Sequence, residues 1–209
     1  MNQPSVYSRN QIIETAFQLI REKGWNAVSV RSIAKKVGSS TMPIYSHMGS
    51  MEELENELHS KAQALLKEFQ QRHYTEHVLL NLAFGYVAFA RDERNLFRYL
   101  FLEKPQQRPL EDGAEMKAAF LADFGENSEA GKALAGLREA GHETMIQYTW
   151  VFTHGLATLV NGGALGSCPD QLILRYLKDA GEAFYSLGIA REEQDGETGE
   201  KREEEPWNT

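Results

Sequence analysis

Several things are scarce in this 209-residue chain, and each scarcity excludes something. Cys168 is the single cysteine, so no intrachain disulfide framework exists, which fits a reducing setting. No long apolar run occurs. The stretch from Val78 to Ala90 is broken by Asn81, Gly85 and Tyr86, far short of the ~20 residues a membrane-spanning helix needs. The first residues, Met1 to Arg9, are polar and lack the apolar centre of a secretory signal. A cytoplasmic protein with no membrane partner is expected. Positive charge is also in deficit, with a net charge of −8, but the deficit is uneven. Residues 1–48 hold six basic residues (Arg9, Arg21, Lys23, Arg31, Lys35, Lys36) against Glu14 and Glu22, a local charge of +4 that leaves −12 on the remainder. A basic head on an acidic body aims one end of the molecule at anions.

Apolar residues, 42% of the chain, are enough for a core, and their spacing is helical throughout. Ser8 with Gln11 spells a capping box before Ile12, Ile13, Ala16, Phe17, Leu19 and Ile20, and Gly24 stops that helix. Ser29 is the next cap. Val30, Ile33, Ala34 and Val37 follow as one apolar stripe that Gly38 ends. After Ser39, Ser40 caps a short third helix to His47, with Pro43 in its first turn, where its missing N–H has no partner to lose. Ser50 with Glu53 opens a fourth helix. Further helices are expected over 75–91, 96–102, 111–124, 138–161 and 169–187, with a mobile loop over 125–136. The segment 191–209, with eight acidic and three basic residues, reads as a solvated tail.

Two helices joined by a tight glycine turn, the second starting on small and polar groups, form a helix-turn-helix. The run Ala27 to Met48, with Gly24 before it and Glu52-Glu53-Leu54 after, resembles the signature of the tetracycline-repressor (TetR) family over roughly residues 8–56. The resemblance implies an all-α, homodimeric regulator that binds a double-stranded DNA operator and answers to an unknown small-molecule effector. It implies three parts: a helix-turn-helix DNA-binding domain over residues 1–50 with the motif at 29–48, a helical effector-binding and dimerisation domain over 51–190, and the tail. Carried over by position, Ser29 caps and touches phosphate, Arg31 reaches phosphate or a base edge, Thr41, Met42 and Pro43 face the groove, and Tyr45 and His47 meet the sugar-phosphate backbone. Ser39 stands where the family usually has valine or isoleucine. Met51 stands where it usually has a lysine, which removes one phosphate contact.

In the body, Phe84, Phe97, Tyr99, Phe120, Phe124, Tyr148, Trp150 and His154 are candidates for lining an effector cavity. Gly155, Leu159, Tyr176, Ala180 and Phe184 are candidates for a four-helix dimer interface. No enzymatic activity, cofactor or metal is expected. Two other readings compete. His73, Glu76 and His77 spell H-x-x-E-H, which on one helix would suit a metal-binding hydrolase. The chain could instead be a helical interaction module that binds no DNA and recruits a partner through its tail.

Overall fold

The computed structural model describes residues 8–105, 113–136 and 142–197, and every regular element among them is helical. The head contains α1 (Arg9–Lys23), α2 (Val30–Val37) and α3 (Thr41–Met48). The body contains α4 (Met51–Gln70), α5 (Val78–Asp92), α6 (Arg94–Arg98), α7 (Gly113–Phe124), α8 (Glu129–Gly136), α9 (His142–Gly162) and α10 (Asp170–Glu197). A π-helical turn, Tyr99–Glu103, continues α6.

Local chemistry sets these boundaries. Gln11 N donates to Ser8 Oγ and Ser8 N to Gln11 Oε1, which closes the box expected at the start of α1. At α2 the box partner is Ser32, whose hydroxyl also donates to the Ala27 carbonyl at 2.7 Å. Gly38 ends α2 in the left-handed conformation (φ 74°, ψ 35°), where a side chain would be strained. Ser50 accepts from Glu53 N and caps α4.

One apolar core runs through head and body. Ile12, Phe17 and Ile20 of α1, Ile33 of α2 and Ile44 of α3 close over Leu54 and Leu58 of α4, and the same cluster continues into Phe84, Phe89, Leu96 and Phe97. α5 is the central helix, packed by α4, α8, α9 and α10 and buried from Phe84 through Ala90. Gly85 lets α4 and α5 touch backbone to backbone. A β-carbon there would lie 2.3 Å from the Phe69 carbonyl oxygen and 2.5 Å from Gln70 Cα.

Two expectations change. The stretch 125–136 is not a loop: α8 occupies Glu129–Gly136, and Ser128 caps it by accepting from Gly131 N at 2.9 Å. Its residues Ala130, Ala133 and Leu134 favour helix, and Ala130 and Leu134 pack against Leu82 and Phe124. The acidic segment enters helix as well, since α10 runs to Glu197; residues 198–209 lie outside the described residues.

Candidate functional site

The helix-turn-helix follows from a division of labour around α3. Ile44 and Met48, one turn apart, are buried against α1 and α4. Thr41, Met42 and Tyr45 are exposed, Met42 by 76% and Tyr45 by 60%. Pro43 and His47 are half-buried. Ser29, which caps α2, and Arg31 in its first turn are exposed. Of the seven sequence-expected contact residues, Ser29, Arg31, Thr41, Met42 and Tyr45 are thus exposed, and Pro43 and His47 are half-buried. Ser40 takes the cap position of α3, but its side chain makes no capping hydrogen bond. The Ser39 hydroxyl donates to the Ser40 carbonyl at 3.0 Å, and Met51 opens α4 as an exposed apolar residue.

The head's charge is narrower than its composition suggests. Lys36 pairs with Glu22 at 2.7 Å, Arg9 with Glu57 at 2.8 Å, and Arg21 with Glu93. Lys23, Arg31 and Lys35 are exposed and enter no ion pair among the described residues. The unpaired positive charge of the head thus sits at the end of α1 and on α2. Arg21 also ties the head to the body, since Asn95 Nδ2 donates to its carbonyl at 2.8 Å. Trp25 stacks on Tyr99 of the π turn, with ring centroids 5.1 Å apart, and the Tyr99 hydroxyl donates to the Glu55 carbonyl.

The body holds a half-open cavity of about 1090 Å³ between α4, α5, α7, α8, α9 and α10. Phe120, Phe124, Trp150 and His154 line it, as expected. Phe84, Phe97, Tyr99 and Tyr148 do not. Phe84 packs on Tyr74, Phe97 stands behind the wall against Tyr86 and Phe101, Tyr99 turns toward Trp25, and Tyr148 is taken up by Phe184 and Arg191. Their spacing marked them as apolar, but only the crossing of helices decides which apolar residue meets a void. The sequence reading missed His59, Tyr86, Phe101, Thr149 and Thr153, which also line the cavity. A usable signal was present in the threonines, which recur at i and i+4 within an aromatic helix.

Tyr86 Oη and His154 Nδ1 lie 2.8 Å apart, and His154 stacks on Trp150. Burial holds the imidazoles of both His59 and His154 below the ordinary 6.5; for His59 it outweighs Glu55, Gln63 and the Lys104 backbone, which favour the charged form. Because both folded-state values are depressed, the unfolded chain takes up these protons first. The stability carried by the neutral rings above 6.5 is lost as the pH falls below it. The melting temperature is expected to drop between about pH 7.5 and about pH 5.5, and to drop less in His154→Gln. Thermal melts across that range check this. A wild-type-minus-variant difference that does not change with pH contradicts it.

Of the candidate interface residues, Gly155, Leu159 and Tyr176 are exposed, while Ala180 and Phe184 are half-buried. With Val151 and Leu187 they form an apolar face across the paired helices α9 and α10. The hydrolase reading loses its geometry. His73, Glu76 and His77 sit in the connection between α4 and α5, not on a helix. Asn81 pins that connection, accepting from Thr75 N at 2.8 Å and donating to the Thr75 carbonyl at 2.8 Å. His73 is exposed, 3.7 Å from Glu129, and no group of three or more potential metal ligands converges among the described residues.

Residues 12–58, from α1 through the first two turns of α4, match the family model of bacterial regulatory proteins of the tetR family. No curated protein matches the chain. No helix among the described residues is long and apolar enough to cross a membrane.

Proposed function

We propose that this chain, whose residues 12–58 match the tetR family model, is a DNA-binding transcriptional regulator of that family: a ligand-responsive repressor that binds a palindromic operator as a homodimer. The observation that carries this reading is the outer face of α3. Burying Ile44 and Met48 while leaving Met42 and Tyr45 largely exposed, in a short helix after a tight glycine turn, supports an outer face that meets a partner. Thr41 and Arg31 are the hydrogen-bonding readers of base edges, and the Met42 side chain suits a thymine methyl. Tyr45, His47 and Ser29 meet the backbone and set the register.

Two heads must reach successive major grooves, about 34 Å apart. The exposed α9–α10 face supplies the dimer contact, joining four helices around Gly155, Leu159, Tyr176, Ala180 and Phe184. The effector occupies the body cavity. Leu100 and Phe101 of the π turn line that cavity, while the adjacent Tyr99 stacks on Trp25 beneath α1. A ligand that moves this turn thus biases the position of the head, and so the spacing between heads.

Light scattering of the purified chain at micromolar concentration is expected to give the dimer mass. The double change Leu159→Glu and Tyr176→Glu is expected to give monomers that still melt cooperatively but bind the operator at least about tenfold more weakly, because the second head no longer adds to the first. A wild-type monomer that binds the operator undiminished overturns the dimer.

A further inference from the structure

The floor of the cavity carries polar atoms with nothing to bond to. Thr149 and Thr153 line it from one stripe of α9, and His59 faces it from α4. Thr149 Oγ1, Thr153 Oγ1 and His59 Nε2 are buried and lack a hydrogen-bond partner. Thr153 is only 6% exposed and His59 8%. Leaving such atoms unsatisfied is costly in a native interior, so their placement together on the wall of a large void points to a ligand that completes them.

The rest of the wall restricts what that ligand is. Trp150, stacked on His154, stands with Phe101, Phe120 and Phe124 around the same space. The lining carboxylates, Glu76, Asp123 and Glu182, are all on exposed residues, as is Lys178. Lys67 is the half-buried cation of the lining, and its ammonium lies 5.8 Å over the Phe124 ring. A charged group pushed against the threonines and His59 would therefore lose its water, and the charges nearest it are already engaged: Glu55, which acts on His59, pairs with Lys104 at 3.0 Å, and Lys67 lies over Phe124.

Resting on the reading of this cavity as the effector site, we infer that the effector is an uncharged, largely aromatic molecule bearing hydroxyl or carbonyl oxygens that bond Thr149, Thr153 and His59. Neutral hydrogen-bonding groups supply the missing partners, and aromatic rings suit the flat faces of Trp150 and the phenylalanines.

Four probes on one scaffold test this by calorimetry with the full chain: trans-stilbene, and its 4-hydroxy, 4-carboxylate and 4-aminomethyl derivatives. The hydroxy compound is expected to bind most tightly, about tenfold or more above each charged analogue. Thr153→Val keeps the shape and β-branching of the side chain and removes only an unsatisfied hydroxyl, so it is expected to keep or raise the melting temperature of the ligand-free protein. It is expected to weaken the hydroxy compound about five- to tenfold while leaving stilbene within about twofold. Tighter binding of the carboxylate, as Lys67 could provide, or of the ammonium overturns the inference. So does an equal loss for stilbene and hydroxystilbene in Thr153→Val. If stilbene binds and hydroxystilbene gains nothing over it, the chemical class is wrong while the effector site stands. If none of the four binds, both readings fail.

Discussion

Tyr45→Ala is expected to lower operator affinity about a hundredfold and to leave the melting temperature unchanged. The side chain projects from the outer face of α3, 60% exposed, and contributes nothing to the core that Ile44 and Met48 build on the other side. Losing one backbone contact per head removes about 1–1.5 kcal/mol, and two heads double it, which gives a factor of about thirty to a hundred and fifty. An exposed substitution of this kind shifts stability by less than about 0.5 kcal/mol. Fluorescence anisotropy and a thermal melt on the same preparation separate the two effects. The loss should be similar across operator variants, because the contact is to the backbone, whereas Thr41→Ala should change which variant binds best. A parallel fall in affinity and melting temperature would mean that Tyr45 holds the head together instead of reading DNA.

The largest expected effect on stability lies far from the DNA face, at Gly85→Ala. The added methyl would sit 2.3 Å from the Phe69 carbonyl oxygen and 2.5 Å from Gln70 Cα, and neither is the flexible end of a side chain. The end of α4 must move away from α5, along with the Tyr74 hydroxyl that donates to that same Phe69 carbonyl. Overpacking of this kind costs about 1–3 kcal/mol, and backbone-to-backbone contact puts this site at the upper end. Gly181→Ala is the control: nothing lies within 4 Å of the new methyl, and alanine favours helix by up to about 1 kcal/mol. Chemical denaturation should show Gly85→Ala strongly destabilised and Gly181→Ala unchanged or more stable. Equal behaviour of the two contradicts the close crossing.

These two sites also mark how far the sequence was legible. The head could be read because its information is local. Ser8, Ser29 and Ser50 cap, Gly38 turns, and the i, i+4 pair Ile44 and Met48 shows which side of α3 faces inward. Gly85 looked merely like an interruption in an apolar stretch, because what it permits depends on Phe69 and Gln70 in another helix. The cavity lining followed the same rule. Trp150 and His154 reach the void and Tyr148 on the same helix does not, a difference set by where α10 crosses. Charge was misjudged in the same way. Arg9, Arg21 and Lys36 counted toward a basic head, yet each is answered by a carboxylate that only the fold brings near. The histidines at 73 and 77 matched a helical ligand spacing, and Asn81 holds them in a turn instead.

The central claim is that the exposed side of α2 and α3 binds a specific duplex, and anisotropy across a salt series tests it most directly. The target is an inverted repeat from the DNA upstream of the chain's own gene, compared with a scrambled duplex of equal length. With Arg31 and Lys35 facing outward on each of two heads, log affinity should fall linearly with log salt, with a slope of about −3 to −4. The repeat should be preferred over the scrambled duplex by about a thousandfold or more. Equal binding of the repeat and the scrambled duplex at every salt concentration would contradict the account.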